Sequence, residues 1–131
     1  MATSEQAPSA ERSATALVNH YLDAFYTGDF DTAGLVLADE FSFRGPFIEA
    51  TGKESFLTSA DGLRRIVKGH RLLRQWEDGD EVASIYELRI ETPAGAGAVT
   101  MSEWHVACDG KLISALVLFD TAAFRALVPA A

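Results

Sequence analysis

"MSEWHVACDGKL", residues 101–112, alternates with the two-residue period of a half-buried strand and then runs into an Asp-Gly turn. Glu103 and His105 stand two positions apart in it, so both point to one face of a sheet. Facing water, a carboxylate and an imidazole cost nothing; inside the protein they need partners. The next stretch, "KLISALVLF" (111–119), presents a wholly apolar face of Ile113, Ala115, Val117 and Phe119, and the turn decides who shares it. A two-residue Asp109-Gly110 loop pairs Cys108 with Lys111 and sends Glu103 to the other face, beside Leu116. A three-residue loop pairs Ala107 with Lys111, and sets Glu103 across from Ala115 and His105 across from Ile113. The three-residue loop is expected, because it gathers Val99, Met101, Ile113, Ala115, Val117 and Phe119 into one concave interior. Glu103 and His105 are then carried inside, while Trp104, Val106, Leu116 and Leu118 form the outer face.

Upstream, apolar residues at Ala14, Leu17, Tyr21 and Phe25 make a helical stripe within 10–27, and Gly28 supplies a left-handed stop. Asp29 or Asp31 caps a short second helix through Leu37. "EFSFR" (40–44) is a brief strand ended by Gly45-Pro46, and "KESFLTSADGLRRI" (53–66) is helical. Strands are predicted over about 67–77, 81–92, 97–108 and 111–119, with turns at Asp78-Gly79-Asp80 and Pro93-Ala94-Gly95. Asp120 caps a last short helix, "TAAFRAL". The order predicts an α+β fold with helices on one side of a curved antiparallel sheet. Residues 1–10 are expected to be a flexible tail rather than a signal peptide, and 11–131 a single domain.

Composition narrows the function classes. A net charge of −8 opposes a phosphate backbone, so nucleic acid is not an expected partner. The apolar run "LISALVLF" is too short to span a bilayer, so no membrane is expected either. A single cysteine, Cys108, forms no internal disulfide and fits the cytoplasm. His20 and His70 lack metal-ligand companions at recognisable spacing, and no phosphate loop, dinucleotide fingerprint or nucleophile motif appears, so neither metal nor cofactor is expected. Arg64, Arg65, Lys68, Arg71 and Arg74 concentrate five of the eleven cationic side chains and are read as a solvated surface.

Taken together, "YLDAFYTGDFDTAGLVLADEFSFRGP", "TGKESF", "DGDEVASIYEL", "SEWHVACDGKL" and "LVLFDTAAF" give the chain a resemblance over about residues 13–127. It resembles the nuclear transport factor 2-like superfamily, and within it the SnoaL-like and ketosteroid isomerase-like proteins. The resemblance implies a cone-shaped α+β fold around a deep central pocket and frequent homodimers. It does not imply one function. The ketosteroid isomerases make an oxyanion hole from a helix Tyr and a protonated acid on the penultimate strand. Tyr21 and Glu103 stand at those positions. The proton-shuttling Asp of that group falls on Gly45. The last-strand Asp of SnoaL-type cyclases and limonene epoxide hydrolases falls on Val117, and the hydrolase Arg near Ile85.

The expectation is thus a pocket with half of a familiar site. Tyr21 and a protonated Glu103 would polarise an oxygen on a small apolar molecule, with His105 the nearby proton acceptor, in isomerase-, cyclase- or lyase-type chemistry. Trp76, Tyr86, Met101, Val117 and Phe119 are expected to contact the ligand. The alternatives are a non-catalytic binder of a small hydrophobic molecule and a dimeric interaction module. The apolar outer face predicts a homodimer packed through the sheet.

Overall fold

The computed structural model describes residues 13–129. The tail expected over 1–10, and the expected start of the first helix, lie outside them. Helix α1 (Ala14–Tyr26) begins where the Ser13 hydroxyl accepts the Ala16 N–H at 3.0 Å. Its stripe buries Leu17, Tyr21 and Phe25 as the spacing predicts, and Gly28 follows at φ 85°. Asp29, rather than Asp31, caps α2 (Phe30–Val36) by accepting the Thr32 N–H. Strand β1 (Leu37–Arg44) is longer than "EFSFR", and a turn closed by Gly45 N–H to Ile48 O at 2.8 Å adds an unpredicted strand β2 (Glu49–Thr51). The helical stretch after Gly52 is broken into α3 (Lys53–Ser59) and α4 (Leu63–Ile66) by a turn through Asp61.

Strands β3 (Val67–Asp78), β4 (Glu81–Thr92), β5 (Gly95–Cys108) and β6 (Lys111–Phe119) follow, then α5 (Thr121–Leu127), capped by Asp120. They form one curved six-stranded sheet in the order β2-β1-β6-β5-β4-β3, parallel only between β1 and β6. Val82, Ser84, Tyr86, Leu88 and Ile90 alternate inward along β4 and are all buried. Helix α1 is clipped to the edge strand β3 by polar side chains. Gln75 donates to Asn19 at 2.8 Å and to Ser84 at 3.0 Å, and Glu77 accepts from the Thr15 hydroxyl.

The 108–111 turn corrects the expected register while keeping the expected face. Asp109 (φ 53°) and Gly110 (φ 77°) make a two-residue turn of the primed type, and Cys108 does pair with Lys111. Left alone, that turn would send Glu103 outward. A β-bulge intervenes: Ala107 pairs with Leu112 but Val106 with Ser114, so Ile113 is the extra residue. The shift returns Glu103 to face Val117 and His105 to face Ala115. Ile113 leaves the interior face, and buried Leu112 takes its place. Two unit shifts of register cancel in their effect on which side chains point inward. Among the described residues no helix is long and apolar enough to cross a membrane.

Candidate functional site

Between the concave sheet and the helices lies a cavity of about 330 Å³. Its walls are largely aromatic: Phe25 from α1, Phe43 from β1 and Phe56 from α3 stack on one another. Phe119, Phe124 and Phe47 pack together with tilted rings, so α5 and the end of β6 supply a second aromatic group. Met101, Val117 and Phe119 line the cavity. No Lys, Arg or His is among the described residues that line it. An anionic ligand would find no counter-charge there.

The polar groups collect at one place. Glu103, on β5, is only 3% exposed and lines the cavity together with Tyr21 and Tyr26 of α1. Tyr86, one strand away and diagonal to Glu103, donates its hydroxyl to Glu103 Oε1 at 2.6 Å. Its oxygen meets the Tyr26 hydroxyl at 2.8 Å. A phenol has one proton to give. With that of Tyr86 directed at Glu103, the proton in the second contact comes from Tyr26, and the chain runs Tyr26 to Tyr86 to Glu103. Glu103 Oε2 takes no hydrogen bond among the described residues.

Burial raises all three phenols well above their ordinary value of 10, with the nearby Glu103 carboxylate the next largest cause. For Tyr26 the contact with Tyr86 works in the opposite direction but does not cancel the rise. All three remain protonated donors at neutral pH.

The sequence candidates separate accordingly. Tyr21 and Glu103 share the cavity as expected, but they make no hydrogen bond to each other; Tyr86 holds the carboxylate instead. Tyr86 does not line the cavity, since it sits behind the wall as the middle link. His105 is fully buried and also off the lining. Its Nε2 lies 3.3 Å from Glu103 Oε2, close in distance but off-line, and neither ring nitrogen completes a hydrogen bond among the described residues. Its ring meets Tyr21 edge-on, so it stands behind the acid rather than before a ligand. Trp76 does not line the pocket either. It is 49% exposed on the outer face, where a bulge in β3 after Leu72 turns it, and it stacks with Arg74. Tyr26 was missed because it falls beside the helical stripe; its one signal is adjacency to Phe25 at the end of α1.

The two other positions where the superfamily carries acids meet in space. A Cβ on Gly45 would lie 2.7 Å from Val117 Cγ1. Both line the cavity, so this side of it is apolar throughout. Among the described residues there is no group of three His, Cys, Asp or Glu side chains able to hold a metal.

A curved sheet folded over helices around an acid-bearing cavity defines the nuclear transport factor 2-like class. The SnoaL-like domain profile matches residues 18–115, and the chain belongs to that family. No curated protein matches it. Solved structures share the fold at low identity. An NTF2-like protein of unknown function from Cytophaga hutchinsonii is 22% identical, covering 89% of this chain and 98% of that one, with a TM-score of 0.74. An LEH-like epoxide hydrolase from M. tuberculosis is 20% identical over 88% of this chain and 90% of its own, at 0.75. TerC, co-crystallised with polyporic acid, is 16% identical over 89% and 98%, at 0.76.

Proposed function

We propose that the cavity takes a small, largely apolar molecule bearing a carbonyl, enol or hydroxyl, and that Glu103 moves a proton on it while Tyr21 approaches the same polar end. Isomerase-, cyclase- or lyase-type chemistry fits this arrangement. The observation that carries the reading is an acid 3% exposed, with one oxygen held by Tyr86, opening on a cavity whose lining is otherwise mostly aromatic and aliphatic. The apolar pair Gly45 and Val117 favours a second reading, a binder of the same kind of molecule without turnover. The test uses 2-tetralone, a neutral aromatic ketone. Its affinity is measured by NMR titration, and its α-hydrogen exchange is followed in D2O. Exchange above the buffer rate that falls at least about tenfold in Glu103→Gln, with affinity little changed, supports the catalytic reading. Binding without exchange supports the binder; the absence of both binding and exchange sinks the proposal for this site.

We further propose a homodimer through the outer sheet face, and a cytoplasmic protein consistent with the single Cys108. Trp76, Ala83, Trp104 and Leu116 lie in one cross-strand row on that face, continued by Arg44 and Glu49. A two-fold axis on such a row would bury its aromatic part between the two copies. Sedimentation of the parent and of Leu116→Glu at micromolar concentration is the measurement. A monomeric parent removes the proposal.

A further inference from the structure

Tyr26 and Tyr86 each give a single hydroxyl proton to another protein group, Tyr26 to Tyr86 and Tyr86 to Glu103. What Glu103 and Tyr26 keep for the cavity they line is therefore lone pairs. Glu103 Oε2 takes no hydrogen bond among the described residues, since His105 Nε2 stands 3.3 Å away but off-line. Tyr21, whose hydroxyl rotates, can accept there as readily as donate. A carbonyl is served at this end only by Tyr21 or by a protonated Glu103. A cationic donor satisfies all three oxygens at once.

The surroundings favour the charge as well as the donors. Glu103 is 3% exposed, so the fold has already taken the acid out of water. A ligand cation beside it completes a pair rather than burying a lone charge. No Lys, Arg or His is among the described lining residues to compete for it. The rings of Tyr21 and Tyr26 lie 5.3 and 5.0 Å from that of Phe25, so aromatic surface reaches up to the acid. Such faces attract a cation within about 6 Å of the ring. The net charge of −8 also draws cations toward the molecule. We infer that the cavity's ligand carries a primary amino group and binds as its ammonium, with the three N–H groups directed to Glu103 Oε2, Tyr26 and Tyr21. A quaternary ammonium, which has no N–H, would leave those oxygens unmet. The apolar body of the ligand lies among Phe43, Phe56 and Phe119. This rests on the reading above that a small, largely apolar molecule fills the cavity, and it holds whether or not Glu103 turns that molecule over.

The experiment compares 2-aminotetralin, protonated at neutral pH, with 2-tetralone, a neutral ketone on the same ring skeleton. NMR titration reads both dissociation constants, with the Met101 and Val117 methyl groups reporting occupancy of the cavity they line. The amine is expected to bind at least about tenfold tighter than the ketone, and Glu103→Gln to erase that preference. Tyr26→Phe, which removes one acceptor, should narrow the preference, and it carries the comparison if Glu103→Gln does not fold. Ketone binding with no preference for the amine overturns this inference and leaves the reading above in place. A preference that survives Glu103→Gln overturns it too, since the ammonium is then held elsewhere. If neither compound moves the Met101 and Val117 signals, the inference and the reading fall together.

Discussion

Gly45 shows how one missing side chain shapes this site. No backbone strain requires glycine there, but a Cβ would come within 2.7 Å of Val117 Cγ1 and 3.2 Å of the Phe43 ring. Gly45→Ala should therefore cost about 1–3 kcal/mol by overpacking. Pairing it with Val117→Ala should recover part of that loss, because the two methyl-bearing groups compete for one space. Denaturant titration of the two single variants and the double one reads the coupling; simple additivity would mean that Gly45 and Val117 do not meet as described. Glu103 lends itself to a parallel comparison. Glu103→Gln keeps the shape and an acceptor for the Tyr86 hydroxyl, whereas Glu103→Ala strands that buried donor. The Ala variant should be the less stable by about 1–3 kcal/mol in the same titration. That Glu103 and His105 share a face was legible from strand alternation, and that the face is the inner one from apolar matching with residues 113–119. The roles of Tyr86 and His105 were not, because whether a buried side chain lines a cavity or backs it depends on which neighbour stands in front.

At the scale of elements, the 108–113 segment governs everything above it. Gly110 sits at φ 77°, so Gly110→Ala should cost about 1–2 kcal/mol while leaving the fold in place. Deleting Ile113 should remove the bulge without changing the faces, because Leu112 and Ser114 then pair in step with Ala107 and Val106 and Glu103 still meets Val117. Deleting Leu112 instead should put Ile113 opposite Ala107 in the same way. Circular dichroism should find the Ile113 deletion folded and cooperative. An unfolded Ile113 deletion would show that the bulge itself, and not only the parity it restores, is needed for the fold. The sequence supplied every long strand and most helices, since period and turn residues are local signals. It supplied the inward face of β5 for an incomplete reason: apolar matching fixed the parity, but a bulge satisfies that parity as well as a longer loop does. The short strand β2 was invisible because three residues carry no period, and the break between α3 and α4 was hidden by continuous helical spacing.

For the whole molecule, Tyr21, Tyr26 and Tyr86 are all the tyrosines the chain has, and each is raised above 10 in the folded state. An unfolded chain would ionise them near 10, whereas the folded one holds their protons more tightly. Their contribution to stability is thus fully present below pH 10 and is lost as pH rises beyond it. Absorbance at 295 nm should stay flat through pH 10 and climb only as the fold is lost, in step with circular dichroism. Early titration of one tyrosine would place it in water. The strand order carries one more consequence. Strand β6 occupies the centre of the sheet and is the one element joining the β1–β2 pair to the β3–β4–β5 meander. In a chain made from its N-terminus, two half-sheets wait with open edges until residues 111–119 leave the ribosome. A nascent chain stalled before Lys111 should remain protease-sensitive throughout, and protection should appear in a single step once β6 has emerged.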